Sequence, residues 1–493
     1  MEVSFAHRVR SFVVFFLFCS LAARACELPA GTPVWARLST PVSSYFSKVG
    51  SDVHAVLTED LACSDGIGVP AGTAIEGRVR SVKKVGWGFR HEAAALKLSF
   101  DRLDLADGNS LTIESRVAEV ENARETLKNG VIMGIRSTDT PQGTINSRLK
   151  HLPTWNPYTD AFLLAYKATF PIFPEPEIYY GAGTDLRLEL VTALNFASVS
   201  HLHNEPTASE GLNELAAQFP QRVFTLDEKD ADVVNIAFLG SREQVQRAFE
   251  AANWVGSDKL SKASFLREFH AYLDHSGYAT APMRPMLLGN AAPDMLWQKS
   301  LNTYSKRDHL RIWASSQTVN GTSVWIGAAT HDEGATLSLR QKRFVHSIDP
   351  QIDNERAKIV RDLKMAGCVQ SVSMVDRPEL PRYMLNATGD LVRTDSKIAV
   401  VELKDCSAPE TAQSAHFKPG NVAFRYLRRQ ILTVRSDIWR ANIIYGAYDL
   451  ARLLKHTAHS LQKPAKLPDE DAKHIDSSPN QNSNSAPVIA ASD

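Results

Sequence analysis

The chain has no surplus of either charge. Lysine plus arginine and aspartate plus glutamate both number 55, which removes the global field that draws proteins to nucleic acid or anionic membranes. Cysteine is scarce, at five residues, and no C-x-x-C spacing supports zinc ligation. There is no H-E-x-x-H and no G-x-S-x-G, so neither a helix-borne zinc site nor an elbow-borne serine nucleophile is encoded. Beyond the first residues no run reaches the roughly 18 apolar positions that a membrane helix needs. The stretch from Asp160 to Tyr180 comes nearest and is broken by Lys167, Pro171, Pro174, Glu175, Pro176 and Glu177. Apolar content of 44% still suffices for ordinary cores.

What is present begins with an export signal. Arg8 and Arg10 precede an apolar core from Ser11 to Ala22, and Ala23-Arg24-Ala25 precedes Cys26. This reads as a cleaved signal peptide, too short to span a bilayer, and predicts periplasmic or cell-envelope placement. The alternatives are an uncleaved segment that tethers the chain to the membrane and a lipid anchor on Cys26. Ala23, where Leu is usual, and Arg24 argue against the anchor. Cys26, Cys63, Cys368 and Cys406 remain after cleavage. Their positions favour Cys26–Cys63 and Cys368–Cys406 disulfides, as suits an oxidising compartment.

The expected organisation is multidomain: an N-terminal all-β barrel or sandwich, followed by an α+β part with a mixed sheet and helices. Its segments are a signal peptide over 1–25, a β-rich domain over 26–200 with a helical excursion near 118–176, an α+β domain with C-terminal helices over 206–461, and a tail over 462–493. The tail is rich in Pro, Asp, Ser and Asn, and lacks the apolar surface to offset its ordering entropy. The segment from Phe424 to Leu461 reads as a basic helix whose stripe of Trp439, Ile443, Ala447 and Leu450 packs on the preceding domain, with its arginines solvated.

An internal echo marks the first half. Pro29-Ala30-Gly31-Thr32, Pro70-Ala71-Gly72-Thr73 and Gly181-Ala182-Gly183-Thr184 each open an alternating strand. These turn-strand entries resemble the β-barrel domain of TrbI-like conjugation and secretion-channel proteins over about Glu27 to Leu194. The resemblance implies a barrel with a helical excursion and a partner in an envelope or secretion assembly.

In the second half, Asp232 to Gly240 reads as a buried strand. Ser241 and Gln244 then form a capping box ahead of a helix carrying Val245, Ala248, Phe249 and Ala252. The turn between them lacks both phosphate-binding glycine motifs. A further helix is expected from Ser261 to His275. Asn320-Gly321 predicts a type I′ hairpin joining His309–Ser315 to Ser323–Ala329. Alternation sets His309, Arg311 and Trp313 on one face, with Leu310 and Ile312 on the other. Ser338 to Ile348 reads as a third strand that brings His346 near. Asp349 caps a helix with Pro350 at its first position and Gly367 after its end. Arg356 falls on that helix's buried side, with Asp332 or Asp349 as its expected partner.

The candidate site residues are therefore His309, Arg311, His331, Asp332, His346, Asp349, Asp353, Glu355 and Arg356. Several spaced strings in this half resemble the C-terminal domain family of LssY over about Pro206 to Asp405. They are Asn235–Arg242, Trp254, Thr280-Ala281-Pro282, the His309/Arg311/Trp313 strand, Trp325 to Thr330, and His346-x-Ile348-Asp349-Pro350-x-Ile352-Asp353-x-Glu355-Arg356. The resemblance implies a bacterial envelope protein and names no reaction. Three roles fit the cluster: a structural polar network, a binding or scaffold surface, or a hydrolase. In the hydrolase a histidine would be general base, an aspartate would orient it and Arg311 or Arg356 would hold an anion, with a divalent metal as an optional part. No motif names a cofactor.

Overall fold

The computed structural model describes residues 25–63, 67–86, 91–136, 139–141, 175–197, 210–338 and 343–407, with short pieces at 158, 200–201 and between 420 and 432. The expected signal peptide, the tail and most of the C-terminal helical segment lie outside the described residues.

The N-terminal part is a nine-stranded antiparallel sheet. Its strands are β1 Pro33–Leu38, β2 Asp52–Leu57, β3 Ala74–Lys83, β4 Ala95–Asp104, β5 Ser110–Thr112, β6 Ser115–Val120, β7 Thr126–Lys128, β8 Val131–Met133 and β9 Asp185–Leu190. They run in the order β6-β9-β1-β2-β3-β4-β8-β7, with β5 on β4. Alternation along each strand turns one row inward, such as Val34, Ala36 and Leu38, and these rows make a single apolar core. The sheet curls until its ends nearly meet, and the Ser115 hydroxyl donates to the Phe100 carbonyl at 2.6 Å. It is a nearly closed barrel.

The three echoed turns are one device used three times. Gly31, Gly72 and Gly183 all sit at φ near +88°, a conformation that costs glycine little and other residues more. In each turn the threonine hydroxyl donates to the carbonyl three residues back. Each glycine N–H donates to the end of a neighbouring strand, at Leu190, Leu57 and Leu38 respectively. The turns therefore set the register of β9, β1, β2 and β3 with respect to one another. Of the stretch expected to be a helical excursion, residues 118–133 belong to strands β6 to β8 and their turns, while 142–157 and 159–174 lie outside the described residues.

The C-terminal part is an eight-stranded mixed sheet. Its strands are β10 Ile236–Leu239, β11 Val255–Gly256, β12 Met295–Ser300, β13 Arg307–Val319, β14 Thr322–Ser338, β15 Arg343–Ile348, β16 Val369–Asp376 and β17 Lys397–Leu403. The order is β11-β12-β13-β14-β10-β17-β16, with β15 on β14; only β10 and β17 pair in parallel. Four helices accompany it among the described residues: α1 Glu210–Ala217, α2 Arg242–Ala251, α3 Lys262–Asp274 and α4 Ile352–Met365. The Ser241–Gln244 capping box starts α2 as expected. Asn320 and Gly321, at φ of 50° and 80°, make the tight hairpin between β13 and β14.

Four expectations need correction. The strand expected over 232–240 breaks at Asn235, whose buried side chain bonds both the N–H and the carbonyl of Ala329 and so replaces ladder bonds. Ser338 ends β14 rather than opening the third strand, which begins at Arg343. Helix α4 starts at Ile352, with Gln351 before it, because Asp349 caps a turn instead: its carboxylate accepts from Gln351 N at 2.8 Å and Asn354 Nδ2 at 3.1 Å. Finally, where the C-terminal segment is described, between residues 424 and 432, it meets the barrel, while its expected stripe of Trp439, Ile443, Ala447 and Leu450 lies outside the described residues. Arg428 is buried against Glu175 and Glu177 instead of being solvated, and Leu432 joins the barrel core.

One expected disulfide, Cys368–Cys406, is formed. Cys63 is also disulfide-bonded, while the side chain of its expected partner, Cys26, lies outside the described residues. Among the described residues no helix is long and apolar enough to cross a membrane.

Candidate functional site

The side chains of β13 and β14 divide into two clusters on opposite faces of the sheet. On one face His309 Nε2 donates to Asp332 Oδ2 at 2.6 Å. His346 Nδ1, reaching from β15, lies 2.9 Å from the same oxygen. Behind His346, its Nε2 is 3.2 Å from the Tyr304 hydroxyl, which donates to Glu268 Oε1 of α3. A polar chain thus runs Glu268–Tyr304–His346–Asp332–His309, with the Arg307 guanidinium stacked on the Tyr304 ring. Arg311 lies further along this face and donates to Asp232 at 2.8 Å.

Burial dominates the electrostatics here. It outweighs the attraction of Asp332 and pushes His309 down to about 4, so this imidazole is neutral and its Nδ1 has no hydrogen-bond partner. Burial also opposes ionisation of Asp332, yet the two histidines hold its carboxyl well below the ordinary range.

The opposite face looks toward α4 and the barrel. Asp308 Oδ1 accepts from His331 Nδ1 at 2.6 Å, and Asp308 Oδ2 accepts from Asn122 Nδ2 of the barrel at 2.8 Å. Burial disfavours the charged imidazole of His331, but the hydrogen bond and charge of Asp308 prevail and hold it up at about 9. Glu355 of α4 faces this group; burial, then the charge of Asp308, raises its carboxyl well above the usual range.

Next to it lies a layer of buried ions joining the two sheets. Asp185 of β9 and Asp362 of α4 are bridged by three cations. Arg37 of β1 reaches both at 2.6 Å, Lys299 of β12 reaches them at 3.2 and 2.9 Å, and Lys358 of α4 at 2.9 and 3.2 Å. Trp254 Nε1 donates to Asp362 at 2.9 Å. Burial opposes every one of these charges. Mutual pairing nonetheless keeps Asp362 and Asp185 depressed and Lys358 raised.

Of the nine candidates, the structure brings together His309, Asp332 and His346. Arg311 shares their face but serves Asp232, while His331 and Glu355 occupy the other face. Asp349 is spent on its turn. Arg356 is held by Asp395 (2.7 and 3.0 Å), the Lys397 carbonyl (2.6 Å) and Asp353 (3.1 Å), not by Asp332 or Asp349. Asp353 also accepts from Asp395 N and the Thr394 hydroxyl, tying the start of α4 to the turn that precedes β17. Sequence reasoning missed Tyr304, Glu268, Asp308 and the whole ion layer. A usable signal existed for Asp308, which alternates with His309 and must therefore face the other way. A half-open cleft of about 170 Å³ lies on the surface of the barrel beside Trp35, Glu59 and Asp60, and no candidate residue lines it.

Residues 216–398 match the family model described as LssY C-terminus, inside the 206–405 extent read from the sequence. No curated protein matches the chain. Among solved structures, ComB10 of the Com type IV secretion system of Helicobacter pylori is 14% identical. The match covers 36% of this chain and 93% of that chain, at a TM-score of 0.21. A likeness so slight carries no argument.

Proposed function

We propose that this chain is an exported cell-envelope protein that acts as a binding or scaffold unit. In this reading the β-rich and LssY-like parts behave as domains locked together by their buried ions, and the partner is another envelope or secretion-assembly protein. The observation that carries it is that His309, His331, Arg311 and Arg356 are already occupied in holding the chain together. A general base works best with a pKa near the working pH. His309 sits near 4 and His331 near 9, so neither is poised for that task. The two arginines suited to binding an anion are engaged by Asp232 and Asp395. The LssY C-terminus match and the Cys368–Cys406 disulfide support placement in an oxidising envelope compartment.

One observation favours hydrolysis as a second reading. His346 is 18% exposed and is backed by Asp332, the arrangement of an oriented base. The two readings separate by experiment. The mature protein, recovered from the periplasmic or envelope fraction and starting after Ala25, should form a discrete crosslinked complex in cells and turn over no phosphate ester, ester or glycan. Recovery from the cytoplasm alone, with free thiols, would overturn export. Turnover abolished by His346→Gln would overturn the scaffold.

A further inference from the structure

Asp308, His331 and Glu355 approach one another from β13, β14 and α4, with one donor atom of each within 4.8 Å of the others. Asp308 and Glu355 are buried, while His331 is 22% exposed and gives the group a route to solvent. Unused bonding capacity separates this group from the ion layer beside it. Glu355 Oε1 is buried with no hydrogen-bond partner. The same is true of Asn122 Oδ1, on the amide whose other atom donates to Asp308. A buried acceptor without a donor is destabilising, and an apolar side chain of similar size would avoid that penalty. Lys358, whose charge acts on Glu355, is itself paired with Glu121, Asp185 and Asp362.

We propose that Asp308, His331 and Glu355 form a binding site for one divalent transition-metal ion, with Asn122 Oδ1 as an additional oxygen donor. One imidazole with carboxylates suits Zn²⁺ or Mn²⁺, whereas Ca²⁺ demands six to eight oxygens. Ligation needs modest movement. The 2.6 Å hydrogen bond between His331 and Asp308 gives way as the ion replaces its proton, and the donors close to about 2.0–2.2 Å from the metal. This site does not depend on the scaffold reading, since a structural ion would serve a scaffold and a hydrolase alike.

The test is metal retention by the full-length exported protein. It would be stripped with chelator, dialysed separately against Zn²⁺, Mn²⁺ and Ca²⁺, and assayed by elemental analysis and thermal melting. The expected result is about one equivalent of Zn²⁺ or Mn²⁺ retained, with a melting temperature that rises on loading. Retention should be unchanged in the exposed control His54→Gln and at least about tenfold weaker in Glu355→Gln, since even the loss of an outer-shell partner costs about 10–100-fold. Glu355→Gln keeps the side-chain volume and removes a buried carboxyl whose Oε1 has no hydrogen-bond partner, so the stripped variant should melt no lower than stripped wild type. If it fails to fold, Asn122→Ala provides the second arm, with weakened retention expected. Retention well below one equivalent for all three ions, or equal retention by wild type and the folded site variant, would overturn the site.

Discussion

Replacing Asp362 by asparagine probes the ion layer most directly. Its carboxylate accepts from Arg37 at 2.6 Å and from Lys299 and Trp254 at 2.9 Å, and the side chain is fully buried. Asparagine keeps the volume, removes the charge and presents an amide donor to cations. Asp185 still serves Arg37, Lys299 and Lys358, so the variant loses one partner of a multiply paired group rather than the whole layer. Breaking a buried pair from one side costs about 3–5 kcal/mol. With a urea slope of about 2–3 kcal/mol/M, the unfolding midpoint should fall by about 1–2 M. Circular dichroism and Trp254-sensitive fluorescence would follow the transition, and their coincidence licenses the conversion to energy. The Arg102–Asp104 pair at the surface is the reference, where Asp104→Asn should leave the midpoint nearly unchanged. The pH dependence has a definite sign. Pairing depresses the folded-state pKa of Asp362 below its unfolded value of about 3.9, so its contribution is present above that value and is lost as pH falls through the depressed one. The variant should therefore converge on wild type only in strong acid. A loss at neutral pH no larger than that of Asp104→Asn would refute the idea that these charges are desolvated and mutually dependent.

Three further outcomes follow from particular residues. His309 has a folded value of about 4, below its unfolded value of about 6.5. Its contribution to stability should be present above about pH 6.5 and disappear as pH falls through 4, a swing of about 3 kcal/mol that is missing from the urea–pH profile of His309→Gln. Reducing Cys368–Cys406 opens a loop with a sequence separation of 38 and should cost about 4 kcal/mol; the same melting temperature with and without reductant would contradict this. Gly72→Ala puts a Cβ where nothing lies within 4 Å but φ is +87°, so calorimetry should register a purely conformational loss of about 1–2 kcal/mol.

The sequence carried those parts of the fold whose cause is local. The glycine–threonine turns, the Ser241–Gln244 box, the Asn320-Gly321 hairpin and the alternation of His309, Arg311 and Trp313 all depend on neighbours a few residues away, and all are found. The site was legible only in part because its chemistry is set by contacts between distant segments. Helix α4 shows why. Glu355, Lys358 and Asp362 recur at three- and four-residue spacing, which in a single sequence reads as the solvated face of an amphipathic helix. The stripe adjoining Ile359 and Leu363 is instead covered by the barrel, some 170 residues earlier, so the polar stripe is buried nearly as thoroughly as the apolar one. Arg37 and Asp185 carry no signal for the same reason, since they sit on the outward row of barrel strands that alternate as if that row met water. Charge that only another part of the chain can neutralise makes each half the counterion of the other. Removing the barrel would leave Lys299, Lys358 and Arg361 without Asp185 and Glu121. A misaligned pairing would strand several of these charges at once, so the ion layer penalises any other way for the two sheets to meet.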